Sequence, residues 1–258
     1  MAKIETQGLS KTYRSGGETT VALNDLTISV REGEFLTIVG PSGCGKSTLL
    51  YIIAGFLKPS AGRVLVDGRP VEAPGTDRGI VFQEYALFPW RTVLDNILFG
   101  LEYQALSRPE RLARARQYIE FMGLEGFEHR YPKELSGGMK QRVALARTLC
   151  YNPDVLLLDE PFGALDAQTR EIMQDELLRV WRETKKTVLM VTHSVSEAVY
   201  LSDRVIVMTS RPGTRKAEFA VGLDRAGSRE QIILTPAFAE LQSRIWMQVR
   251  EEVLRSRT

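Results

Sequence analysis

Cysteine and histidine are scarce, two of each in 258 residues. Two cysteines cannot build a disulfide framework, and Cys44 falls inside a glycine-rich loop where a bridge would obstruct a site, so a reducing, cytosolic setting is expected. An excess of charge is also missing: 34 basic against 32 acidic residues give a formal net charge of +2, which excludes a global electrostatic grip on nucleic acid. Long apolar runs are absent. The start, "MAKIETQGLSKTY", has no apolar stretch behind its lysine, and no later stretch approaches the length of a bilayer span, so any membrane role must come through partners. Internal repeats and low-complexity linkers are absent too. At this length the chain is one large domain or two small ones with a substantial core.

What is present reads as alternating strands and helices. Residues 3 to 39 alternate polar and apolar around two glycine-containing turns, predicting antiparallel strands that end in the buried strand "FLTIV". A helix is expected over Lys46 to Phe56, then short strands in "GRVLVDGRPV" and another in "GIVFQ". Residues 85 to about 135 change character. In "SRPERLARARQYIEFMGL", Ser107 and Glu110 form a capping box, Pro109 sits in the first turn, and Leu112, Ala115, Ile119 and Met122 recur at helical spacing up to Gly123. This predicts a helical insertion, after which strands "VLLLD", "TVLMVT" and "RVIVMTS" alternate with helices "TREIMQDELLRVWRE" and "VSEAVYL". The tail "PAFAELQSRIWMQVREEVLR" predicts an amphipathic helix with Phe238, Leu241, Ile245, Val249 and Val253 on one face.

"GPSGCGKST" is the strongest chemical signal. Gly40, Pro41, Ser42, Gly43, Cys44, Gly45, Lys46, Ser47 and Thr48 match the phosphate-loop pattern after a buried strand and before a helix. Glycines let successive N–H groups turn toward phosphate oxygens, Lys46 can reach the β and γ phosphates, and the Ser47 hydroxyl can hold Mg²⁺. Cys44 reads as loop filler. "VLLLDE" ends an apolar strand in two acids, Asp159 for the magnesium side and Glu160 to take a proton from attacking water. Gln83 ends the predicted core strand "GIVFQ" and His193 ends "TVLMVTH", where an α/β sheet borders its ligand crevice, and both read as γ-phosphate sensors, Gln83 also as a metal ligand. His129, in the polar "FEHRYP" segment, is assigned no chemistry. In "LSGGMKQRV", Ser136 followed by Gly137 and Gly138 can cap a helix that makes a second anion site. With no lysine-serine ending of its own and no metal ligand, it is half a site.

The order and spacing of these motifs, with "GALD" carrying Asp166, resemble the ATP-binding cassette (ABC) family over nearly the whole chain. The resemblance implies an α/β fold with a P-loop NTPase core, an antiparallel β subdomain and a helical subdomain. Domain limits on this reading are 1–210 for the cassette, with the helical subdomain at approximately 85–150, and 211–258 for the tail. Tyr13 matches the position where the family stacks an aromatic ring on adenine. The resemblance also implies a second cassette, a copy or a related chain, with Ser136 and Gly138 of one completing the ATP site of the other.

"PGTDRGIVFQ" and the "FPW" after it look like the ATPases of nitrate, sulfonate and taurine importers. They imply ATP and Mg²⁺ as cofactors, transmembrane permease subunits as partners, a periplasmic or lipid-anchored solute-binding protein acting indirectly, and a peripheral place on the cytoplasmic face of the inner membrane. Leu87, Phe88 and Trp90 would supply apolar anchors for a short permease helix. Nitrate, taurine, alkanesulfonate, bicarbonate and a vitamin precursor stay open as cargo. So does the alternative of a soluble ABC ATPase acting mechanically on nucleic acid.

Overall fold

The alternation in the first thirty residues is realised as two long strands, β1 (Ala2–Ser15) and β2 (Glu18–Arg31), paired antiparallel through a Gly16-Gly17 turn. The structure, a computed structural model, describes residues 2–225 and 227–255. Ile4, Leu9, Leu26, Ile28 and Val30 turn inward from this pair. The continuous apolar run that follows forms β3 (Phe35–Val39), five residues all buried, as a strand covered on both faces must be. α1 (Lys46–Ala54) stops two residues earlier than the sequence suggests, because Gly55 takes a left-handed conformation and closes the helix. β4 (Ala61–Val66) then pairs antiparallel with β1 and with the two-residue β5 (Arg69–Pro70).

The chain divides into two compact units, Met1–Gly75 with Val180–Thr258, and Thr76–Arg179. The second unit begins with β6 (Arg78–Val81), so Gln83 lies two residues beyond the strand it was expected to end. It continues with α2 (Val93–Phe99), α3 (Arg108–Phe121), α4 (Gly137–Leu149), β7 (Val155–Asp159) and α5 (Ala167–Thr184), the last turn of which belongs to the first unit. β6 and β7 pair in parallel, and α4 packs on β6, α2 and α3. The Ser107 and Glu110 capping box forms as the sequence predicts, with Ala115 and Ile119 as the buried face of α3.

The first unit resumes with β8 (Thr187–Thr192), α6 (Val195–Leu201), β9 (Arg204–Met208), β10 (Arg215–Ala220), α7 (Arg229–Ile233) and α8 (Pro236–Arg255). β8 and β9 flank β3 in parallel, and β10 runs antiparallel beside β9. α6 and α8 pack together, with Phe238, Leu241 and Ile245 of α8 buried. Each fully buried side chain of this size contributes about 1.5–3 kcal/mol. Val249 and Val253 are only half-buried, and the most enclosed residue in that part of α8 is Glu252, which no apolar pattern marks. Among the described residues no helix is long and apolar enough to cross a membrane.

Candidate nucleotide site

In the first unit, β3 delivers the chain into the loop Gly40 to Thr48 and α1 takes it out again. Gly45, the residue before α1, has φ +102°, and a Cβ there would lie 2.8 Å from both the Ala22 carbonyl oxygen and Leu23 Cδ2. Only glycine fits. It leaves α1 with no side-chain cap, so the helix's first N–H groups meet no oxygen of the residue before them. The Lys46 ammonium, 5% exposed, folds back over the loop and donates to Gly40 O at 2.9 Å and Pro41 O at 3.1 Å. Ser42 and Gly43 are exposed, Ser47 and Thr48 half-buried, and Cys44 is buried, as befits a filler.

Tyr13 stands beside this loop with its hydroxyl 3.3 Å from Thr48 Oγ1, its ring 39% exposed, and the Lys11 ammonium 5.3 Å from the ring centroid. His193 follows β8 directly and is exposed. Its neighbours are pinned: Thr192 Oγ1 donates to Glu197 at 2.6 Å and accepts the Ser194 N–H at 3.0 Å, while Ser194 caps α6. The backbone on either side of the imidazole is therefore fixed while the ring stays accessible.

In the second unit, β7 ends at Asp159, whose side chain is buried. Glu160 adopts φ +44°, a left-handed turn that breaks the strand alternation and sends the second acid in a new direction. A Cβ added at Gly163 would lie 3.6 Å from Gln83 Nε2 and 3.9 Å from Glu160 Oε2, so these two side chains reach the same small region. Asp166 caps α5 by accepting the Thr169 N–H at 3.0 Å, and its hydrogen bonds with Thr169 hold its carboxyl below the usual range. Ser136 caps α4 through the Met139 N–H at 3.3 Å. Gly137 and Gly138 form the first turn, and a Cβ on Gly138 would come 2.8 Å from Thr169 Cγ2, so the first turn of α4 approaches the first turn of α5 closely. Ser47 in the first unit, and Gln83 and Asp159 in the second, each offer a hard oxygen donor of the kind Mg²⁺ uses alongside phosphate and water.

Sequence reasoning missed the residues that shape the segment after Gln83. Tyr85 and Ala86 both have positive φ, and Arg147 of α4 donates to their carbonyls, at 3.0 and 2.7 Å. Burial lowers the pKa of that guanidinium. Asn96, fully buried in α2, accepts the Phe88 N–H at 2.9 Å and donates to Arg91 O at 3.0 Å and Thr92 O at 2.9 Å. A polar residue within the apolar run "VLDNILF" was the available signal. The result is a largely apolar groove of about 380 Å³, lined by Phe82, Phe88, Phe99, Arg147 and Tyr151 among others. Trp90 stands 72% exposed, while Leu87 and Phe88 are half-buried.

Residues 23–163 match a family model described as ABC transporter. An uncharacterised ABC transporter ATP-binding protein of Methanocaldococcus jannaschii is 52% identical over 98% of this chain and 94% of its own. The taurine import ATP-binding protein of Rhizobium johnstonii is 48% identical over 89% of each chain, and the nitrate import ATP-binding protein of Synechococcus elongatus 45% identical over 91% and 87%. Among solved structures, a dimeric ATP-binding cassette in a post-hydrolysis state with ADP and Pi is similar at a TM-score of 0.74 and 36% identity, covering 84% of this chain and 98% of that one.

Proposed function

This chain belongs to the ABC transporter family, as the ATPase subunit of an importer, and on that premise we propose that its cargo is a small anion of the nitrate, sulfonate or taurine type. Cassettes of this family bind ATP, dimerise and act with permease subunits. The cargo rests on the nitrate and taurine import relatives, and the observation that carries the ATPase role is the phosphate loop itself: a left-handed Gly45, an α1 without a side-chain cap and a buried Lys46 ammonium poised over loop carbonyls that phosphate oxygens would replace.

The roles follow from the chemistry each side chain offers. The backbone of Gly40 to Thr48 and Lys46 hold the β and γ phosphates, and the exposed ring of Tyr13 offers a stacking face for adenine. Ser47, Gln83 and Asp159 hold Mg²⁺, which when bound neutralises charge that develops on the phosphates. Glu160 accepts the proton of the attacking water, while His193 and Gln83 report the γ phosphate. Ser136, Gly137 and Gly138, with Asp166, complete the nucleotide site of a second cassette. The groove beside Arg147 receives a short helix of the permease, its apolar lining and the neighbouring Trp90 serving as anchors. Residues 1–210 act as the cassette, with the helical part at approximately 85–150, and residues 211–258 as a tail laid on it. A solute-binding protein outside the membrane delivers cargo to the permease, so this subunit works from the cytoplasmic face.

Purifying the tagged chain from its native membranes tests the reading. Co-purification of permease subunits, with ATP turnover raised by a binding protein loaded with one small anion, is the expected result. Recovery without any membrane protein, and turnover raised by DNA or RNA with a log-linear salt dependence, would replace it with the nucleic-acid alternative.

A further inference from the structure

Within the first unit, the turn after β9 packs behind the phosphate loop. Thr209 Oγ1 donates to Pro212 O at 2.8 Å and accepts the Thr214 N–H at 2.9 Å, which closes the turn. Gly213 wedges it against the loop: its N–H donates to Ala22 O at 2.9 Å, its carbonyl accepts from Asn24 at 3.1 Å, and a Cβ there would lie 2.1 Å from Cys44 O. From the same turn the Arg211 guanidinium reaches the Gly43 carbonyl with Nε and Nη2, each at 3.4 Å.

The turn is held from its far side by α8. Glu252, 1% exposed, accepts the Ser210 N–H at 2.9 Å and the Ser210 hydroxyl at 3.2 Å, and pairs with Lys216 at 2.8 Å and Arg255 at 3.2 Å. Lys216 also bonds Gln248 O at 3.0 Å and Glu251 at 2.7 Å. Burial would push the Glu252 carboxyl up, but the bonds from Lys216 and Ser210 outweigh it and hold the group below its usual range, charged at neutral pH. Docking α8 needs no such residue, because Phe238, Leu241 and Ile245 already bury its face. A buried carboxylate is a poor source of stability. What this one does is fix one backbone amide in a turn that touches the phosphate loop.

We propose that Arg211 and Glu252 are positioning residues for the phosphate loop, through which the C-terminal helix sets nucleotide affinity. The Gly43 carbonyl shares a rigid peptide plane with the Cys44 N–H, which now rests 3.4 Å from Pro41 O. Holding the carbonyl therefore sets where that N–H can point. Glu252 anchors the turn and Arg211 transmits its position, so less ordering remains to be done when phosphate binds. The proposal rests on the reading that nucleotide phosphates bind at Gly40 to Thr48.

The test measures ADP affinity by calorimetry, steady-state ATP turnover and melting temperature on the full chain. Arg211→Ala is expected to raise both the ADP Kd and the ATP KM by about 3–10-fold, with kcat within twofold and melting unchanged. Arg211→Lys should recover only part of the loss, since an ammonium lacks the planar fork. Glu252→Gln should weaken ADP by a smaller factor, and the double variant should be no weaker than Arg211→Ala alone, because both act through one turn. Lys46→Ala separates the two readings. If it abolishes ADP binding while Arg211→Ala binds like wild type, the positioning proposal falls and the phosphate-loop assignment stands. If Lys46→Ala binds like wild type, the assignment falls with it. Full recovery by Arg211→Lys would also overturn positioning, leaving charge alone as the cause.

Discussion

The chain contains two glycine-rich helix starts, and they are built in opposite ways. At α1 the preceding glycine is left-handed, no side chain caps the helix, and a lysine in the first turn bends back over the loop. At α4 the preceding residue is an extended serine that caps the helix itself, and its two glycines take no positive φ. The same residue types thus give one start that no side chain caps and one that its own serine caps. The first can grip an anion alone, and the second can only finish a pocket begun elsewhere. At Gly45 a positive φ and a close backbone approach both require glycine, whereas at Gly138 only close approach does, a Cβ there lying 2.8 Å from Thr169 Cγ2.

Substitutions can break this contrast, and the largest effect is expected from removing the grip. Lys46→Ala should lower ATP turnover by about 10²–10³-fold, the scale of losing one preorganised charge at a phosphoryl site; the readout is steady-state phosphate release. Gly45→Ala combines left-handed strain with a backbone clash and should destabilise by about 2–4 kcal/mol, read from urea unfolding. Gly138→Ala, where a side-chain methyl can move and helix propensity gains, should cost only about 1 kcal/mol. Equal losses at the two glycines would erase the distinction drawn between them. Of similar size is Ser136→Ala: loss of one cap should cost about 1 kcal/mol, lowering the melting temperature by about 2–4 °C for a chain of this size.

Much of the fold was legible because the signals were local. The Ser107 and Glu110 box, the run "FLTIV" and the phosphate loop each carry their structure within a few residues, and each forms where the sequence placed it. Residues that act across long separations were not legible. Arg147 meets Tyr85 and Ala86 over sixty residues away, and Arg211 meets Gly43 across a separation of 168. An arginine on a helix or in a turn reads as solvated charge until tertiary packing supplies its partner. Glu252 is the sharpest instance: periodicity assigns the inner face of α8 to Val249 and Val253, yet the buried residue there is a carboxylate, because Ser210 and Lys216 wait opposite it. Gln83 was placed correctly in order but not in element, since β6 ends at Val81.

The central claim is that the capped start at α4 completes a nucleotide site of another cassette while playing no part in its own chain's grip. The most direct measurement is sedimentation of the Glu160→Gln chain with and without ATP, alone and combined with Ser136→Arg. Ser136 is exposed, so a single chain can carry the larger side chain. The account predicts an ATP-dependent dimer for Glu160→Gln, and a monomer that still binds ATP when Ser136→Arg is added. An ATP-dependent dimer that persists with Ser136→Arg would contradict it.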